Sequence, residues 1–332
     1  MGCLFCRSEE QLTNEHVFPA FMGGELEVRN GSCERCNRDF GVAEAAIKEA
    51  ATPLLNLLQI ENRENVVPNA RLRAEIRDLD MKNLPAFMDG GGNIKLLDVV
   101  RESTNEDGKR LRQGFFLTKE AGDRFAERER ARGHQVAERE VPSEIVIEAT
   151  YTVTLDFIAS LHARKLAAKI ALTAIALEYG AEFALTPQFD ELRAVRTTES
   201  IKELPVRFFA NPGLMSAYLH TPYQHSVMCY LSAGMHKGWA LVTLFGGISY
   251  LVTITENYTY GGSRQFSIFF DADAKRRFNP VVLANEMTLI GHVLSPATKF
   301  EDPTAVHEQW SPILSEFCAK KGVLVEPITE TR

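Results

Sequence analysis

The sequence predicts an α+β protein in two parts, a small cysteine-stapled module followed by a larger α+β domain with an antiparallel sheet and a long central helix. Three observations predict it. Two C-x2-C pairs, Cys3/Cys6 and Cys33/Cys36, fall within the first 36 residues. The run Leu155 to Tyr179 is apolar around much of a helical circumference, and Ser226 to Phe270 reads as short apolar strands separated by Gly-bearing turns. With 332 residues and 45% hydrophobic content, the chain can bury a core of this extent.

The elements follow in order. Each C-x2-C pair offers two thiolates from one tight turn, and two such turns meeting at one ion make a tetrahedral site, so Cys3, Cys6, Cys33 and Cys36 are expected to hold a structural Zn2+. From Ala43 to Leu58 a helix is expected, with Ile47, Ala51, Leu54, Leu55 and Leu58 as its apolar stripe and Pro53 as a kink. The Asn-rich stretch Asn62 to Asn69 reads as a linker, which sets domain boundaries at 1–60 and 61–332, with a further boundary near 145. Beyond it, Leu72, Ala74 and Ile76 alternate with charged residues as in a half-exposed strand. A second strand is expected over Ile94 to Val100, after the turn Gly90-Gly91-Gly92. Thr118 is placed to cap a helix that ends at Arg132 before Gly133, and Glu144 to Val153 resumes a strand pattern.

The Leu155–Tyr179 helix carries Phe157, Ile158, Leu161, Leu166, Ile170, Leu172, Ile175 and Leu177, with Gly180 as its stop. His162, Lys165 and Lys169 fall at i, i+3 and i+7, a basic stripe that is either a solvated face or a nucleic-acid contact. Pro187 opens a short helix. Strands near 227–232, 239–245, 248–254 and 265–270 suggest an antiparallel meander, and a helix near Trp310 to Lys321 with a strand at Val323 to Val325 completes the domain.

Composition narrows the function classes. Four cysteines lie in C-x2-C pairs, while Cys229 and Cys318 stand alone. That pattern suits zinc and buried thiols in a reducing cytoplasm better than a disulfide framework. No apolar run reaches the roughly 20 residues of a membrane span, so no membrane association is expected. Net charge is −7, and Met1 to Phe40 holds four Arg against seven acids. Phosphate binding rests on clustered Lys and Arg, so any grip on nucleic acid must be local or come from elsewhere in the chain.

The combination Cys3-x2-Cys6, Glu15-His16, Pro19, Gly23-Gly24, Asn30 and Cys33-x2-Cys36-Asn37 resembles an HNH endonuclease of the ββα-metal type. It covers about the first 45 residues. The resemblance implies hydrolysis of DNA phosphodiester bonds, with His16 as general base, Glu15 and Asn37 holding a catalytic Mg2+ or Mn2+, and Asn30 corresponding to the Asn that orients the histidine loop. It also implies a setting in bacterial restriction or anti-phage defence.

The residue chemistry agrees. An imidazole with a pKa near 6.5 suits a water-activating base at neutral pH, and Glu and Asn oxygens suit Mg2+. Adjacent strand residues point to opposite faces, so Glu15 and His16 serve one site only if the strand ends or bends there. Two rival readings stay open: a non-catalytic zinc knuckle that binds DNA or protein, and a nuclease silent until a protein partner or small-molecule activator acts through residues 145–332. A homo-oligomer also stays open.

Overall fold

The computed structural model describes residues 2–76, 81–104, 110–137, 147–150, 155–211, 214, 221–280 and 285–320. Its helices and antiparallel sheets make the chain α+β. Contacts divide it into two units. The first comprises Met1–Ala51, Ile60–Val66 and Thr154–Arg332, and the second comprises Thr52–Gln59 and Val67–Val153. The boundary at 66/67 lies within the stretch 62–69, and residues 67–153 and 154–332 group into different units. The N-terminal module and the C-terminal segment share a unit, because they share buried contacts described below.

In the first unit, β1 (Leu12–His16) pairs antiparallel with β2 (Glu27–Cys33), and β2 runs straight into helix α1 (Glu34–Leu57), whose residues from Thr52 on belong to the second unit. Cys33 closes the strand and Cys36 lies in the first helical turn, so the second C-x2-C pair spans the strand-helix junction. The helix begins well before the expected Ala43 and runs through Pro53. Between the strands, Gly23 takes a left-handed φ of 77°, and a Cβ on Gly24 would lie 2.0 Å from the Phe18 carbonyl oxygen, so only glycine fits there. This is the bend that Pro19 and Gly23-Gly24 suggest.

The second unit contains a four-stranded antiparallel sheet, a ribbon and a helix. Strands β3 (Ala70–Ile76), β4 (Met81–Met88) and β5 (Ile94–Leu96) are followed by the ribbon β6 (Val99–Thr104) and β7 (Arg110–Phe115). Helix α2 (Lys119–Ala131) comes next, and β8 (Ile147–Thr150) completes the sheet order β5-β4-β3-β8. Leu72, Ala74, Ile76, Leu84, Ala86, Leu96 and Phe115 form its core. Thr118 caps α2, accepting a hydrogen bond from the Ala121 amide at 3.3 Å. The single strand expected over 94–100 is two, split where the Asp98 carboxylate accepts the Leu117 amide at 2.8 Å. Of the expected strand 144–153, residues 144–146 and 151–153 lie outside the described residues.

The C-terminal part of the first unit is built on helix α3 (Leu161–Tyr179) and a seven-stranded antiparallel sheet. The strands are β9 (Val206–Ala210), β10 (Gln224–Ser232), β11 (Lys237–Leu244), β12 (Ile248–Thr255), β13 (Arg264–Asp271), β14 (Arg276–Arg277) and β15 (Lys299–Phe300). Their order is β14-β13-β10-β11-β12-β9-β15. This is not the expected meander. β13 returns to pair with β10, because the outer edge of β12 is already taken by β9, and the result is a Greek-key arrangement.

Helix α4 (Glu286–Val293) covers one face, burying Leu289, Ile290 and Val293 against Met228, Leu241, Leu251 and Phe269. Helix α5 (Pro303–Lys320) starts earlier than expected. The Asp302 carboxylate accepts the Ala305 amide at 3.0 Å, and Pro303 takes the first turn, where no amide is needed. Val323–Val325 lies outside the described residues.

Helix α3 is the expected central helix. Ser160 caps it, accepting from the Ala163 amide at 3.1 Å, and it packs both on the sheet and on β1 and β2. Burial on both sides explains why most of its length is apolar. It also overturns the basic stripe as an exposed face: Lys169 is 3% exposed, Lys165 donates to the Arg196 carbonyl at 3.2 Å, and His162 is half-buried. Lys169 points toward the N-terminal module, where the carboxylates of Glu15 and Glu44 meet it.

Candidate active site

The four cysteine sulfurs lie within 4.8 Å of one another, and Cys6 Sγ is 3.5 Å from Cys33 Sγ. Tetrahedral thiolate coordination at Zn–S of about 2.3 Å separates sulfurs by roughly 3.8 Å, so this donor set fits zinc. Cys3, Cys33 and Cys36 are buried and Cys6 is exposed. The Cys3 thiol is held down at about 4, chiefly by a hydrogen bond with Cys36, and the Cys36 thiol is pushed up in return. Cys229 and Cys318 are free and buried, as the isolated spacing suggests.

Beside this cluster lies a pocket of about 340 Å³ lined by Thr13, Asn14, Glu15, His16, Ala20, Glu27, Asn37, Glu44, Arg63 and Lys169. Local backbone geometry creates it. The β1–β2 register slips between Thr13 and Glu15, and Asn30 takes a left-handed φ of 53° opposite the slip. A Cβ on Gly31 would lie 2.8 Å from the Glu15 Cβ, so glycine there lets the Glu15 side chain lie flat against β2. With the register broken and the strand ending at His16, neighbouring residues line one cavity despite the strand rule. Asn37 reaches the pocket from the first turn of α1, and Glu44, two turns on, lines it from the same helix.

His16 is paired across the ladder with Glu27, and its Nε2 lies 3.2 Å from Glu27 Oε1. Its Nδ1 is buried without a hydrogen-bond partner. Burial pushes the imidazole below its ordinary pKa, with Arg63 and Lys169 adding to the effect and Glu27 opposing it. The neutral ring is therefore the form at pH 7.

Glu15 is 3% exposed. Its Oε1 takes the Lys169 ammonium at 2.5 Å, and Lys169 also pairs with Glu44, while Glu15 Oε2 is buried without a partner. Burial pulls the Lys169 ammonium down, but the carboxylates of Glu15 and Glu44 outweigh it and raise it above its usual value. Burial pushes the Glu15 carboxyl up, against the pull of Lys169. The ammonium between two carboxylates stays charged, and the Glu15 carboxylate is the member whose ionisation burial opposes.

Glu15 and His16, each with one buried side-chain atom that lacks a partner, thus line one polar cavity with Asn37. Residues 3–49 match the family of HNH endonucleases. That match supports a nuclease-type function for the HNH module and a nucleic acid as its substrate. No curated protein and no solved structure matches the chain.

The structure brings Glu15, His16 and Asn37 to the pocket and separates Asn30 from it. Asn30 is exposed, and its backbone amide donates to Asn14 Oδ1 at 3.4 Å. Glu27, Glu44 and the inward role of Lys169 escape a reading of the sequence. Glu27 becomes visible only through strand register and Lys169 only through packing of α3. The i, i+7 spacing of Asn37 and Glu44 on one helix face is the signal that marks Glu44. The HNH module is fixed to the C-terminal sheet within its unit. Phe18 stacks on Phe270 at 5.8 Å between centroids and lies 5.5 Å from His225, Arg7 pairs with Asp190 at 2.6 Å, and Arg196 pairs with Asp39.

Proposed function

We propose that the chain is a metal-dependent HNH endonuclease that hydrolyses DNA phosphodiester bonds, with His16 as general base. The observation that carries this reading is that His16 and Glu15, whose Nδ1 and Oε2 are buried and unpartnered, line one pocket together with Asn37. Buried polar atoms without partners are rare, and two at one cavity mark a place where a ligand completes the hydrogen bonding.

Glu15 Oε2 and the Asn37 side chain would hold a divalent cation, Mg2+ or Mn2+, for which hard oxygen donors are suited. When bound, such an ion neutralises charge that builds on the scissile phosphate and leaving oxygen. His16 supplies the other half. Its neutral ring, kept so by burial, accepts a proton from water through Nδ1, while Nε2 lies 3.2 Å from the Glu27 carboxylate. Lys169 holds Glu15 by one oxygen, which leaves the second free for the cavity. The four cysteines would hold a structural Zn2+ and so fix Asn37 one residue beyond the last sulfur.

A second reading has its own support. Glu15 is engaged by a buried ammonium and the chain carries a net charge of −7, which suits a nuclease that is silent until a partner or small activator acts. Restriction or anti-phage defence is the setting that the resemblance implies. Supercoiled plasmid incubated with the pure protein separates the readings. Relaxed or linear DNA appearing with Mg2+ or Mn2+ and not with EDTA supports the first. Cutting that depends on added cell extract supports the second, and no cutting under either condition removes both.

A further inference from the structure

We propose that Glu27 is a positioning residue that fixes the tautomer of His16, keeping the proton on Nε2 and the lone pair on Nδ1. The ladder pairs the two residues directly, and the carboxylate oxygen Oε1 lies 3.2 Å from Nε2. Its other oxygen, Oε2, accepts the Asn14 side-chain amide at 3.0 Å, so the carboxylate is held from both ends. Asn14 is held in turn, accepting the Asn30 backbone amide through Oδ1 at 3.4 Å. A chain of contacts therefore runs from the irregular part of β2 through Asn14 and Glu27 to the imidazole.

The chemistry of the ring makes this chain consequential. A neutral imidazole has one N–H and one lone pair, and an ionised carboxylate only accepts, so a carboxylate at Nε2 selects the form with the proton there. Nδ1, buried and without a partner, is then left as the acceptor of the ring. The same division of labour operates in serine proteases, where a carboxylate behind the histidine sets its tautomer and its loss costs about 10⁴ in kcat. Here Asn30 contributes through its backbone and at one remove, while Glu27 touches the ring. The catalytic consequence rests on the nuclease reading above. The tautomer does not.

The test uses the full zinc-loaded chain with ¹⁵N-labelled histidine, reading the ring nitrogens of His16 by long-range proton–nitrogen correlation and assigning them by their loss in His16→Ala. The native spectrum is expected to show the Nε2–H form alone. Glu27→Ala should give a mixture, while Glu27→Gln, whose amide oxygen still accepts, should retain Nε2–H. Plasmid cleavage by Glu27→Ala should fall on the order of 10²-fold in kcat with the DNA KM within threefold and zinc content unchanged, and Glu27→Gln should recover most of it. An Nδ1–H form in the native protein, or a pure Nε2–H form in Glu27→Ala, overturns the proposal. If Glu27→Ala does not fold, the native and Glu27→Gln spectra decide. Absence of cleavage in every protein, with the tautomers as expected, counts against the nuclease reading and leaves Glu27's role supported.

Discussion

A lysine ammonium withdrawn from water at Lys169 is stable because two carboxylates meet it, and its loss would leave the buried carboxylate of Glu15 without its cation beside the half-buried Glu44. Removing one partner of a buried pair costs about 3–5 kcal/mol, far more than an exposed pair contributes. Lys169→Met is therefore expected to lower urea-unfolding stability by about that amount, and a loss under about 1 kcal/mol would show that Lys169 does not carry the Glu15–Glu44 charge. His16 makes a second prediction at this scale. Its pKa is depressed by burial, so the neutral base persists below the ordinary value near 6.5. Cleavage should be full above pH 6.5 and fall as pH drops through a lower midpoint, and a rate profile half-maximal above pH 6.5 would contradict this. The same shift favours the folded state above pH 6.5, and that contribution declines in the acid direction.

The slip in the β1–β2 ladder is the element on which the site depends. It turns Glu15 inward, places His16 at the strand end, and relies on Gly31 for room beside the Glu15 Cβ. Gly31→Ala should push Glu15 out of place, reducing cleavage by roughly tenfold or more while zinc content stays at one ion per chain. Unchanged cleavage would mean that Glu15 needs no such fit. Much at this scale is legible in the sequence: the cap at Thr118, the stop at Gly180, the central helix, and a bend at Pro19 and Gly23-Gly24 all follow local rules. The failures are those of pairing. Nothing local distinguishes a meander from a return of β13 to β10, because the choice is made by β9 occupying the edge of β12. The dipeptide Asp302-Pro303 does mark the start of α5, through a capping carboxylate and a residue that needs no amide.

For the first unit as a whole, the proposed reaction centre is assembled from distant stretches of chain. The cysteines, Glu15, His16 and Asn37 belong to the first 37 residues, and spacing alone brings them to notice. Lys169 comes from α3, more than a hundred residues on, and its direction is unreadable in sequence because a Lys at helical spacing looks solvent-facing until another element covers it. Phe18 stacked on Phe270 and the Arg7–Asp190 pair tie the HNH module to the same sheet that supports α3. The acidic net charge, awkward for a nuclease, is partly spent inside this junction, where Glu15, Glu44, Asp39 and Asp190 each meet a cation.

The proposed hydrolysis rests on His16 in this pocket. Single-turnover plasmid cleavage in Mg2+ or Mn2+, comparing the native chain with a His16→Ala variant of equal zinc content, tests it most directly. Divalent-dependent cutting by the native protein and a loss of at least about 10²-fold in the variant are expected. Equal cutting by both would contradict it.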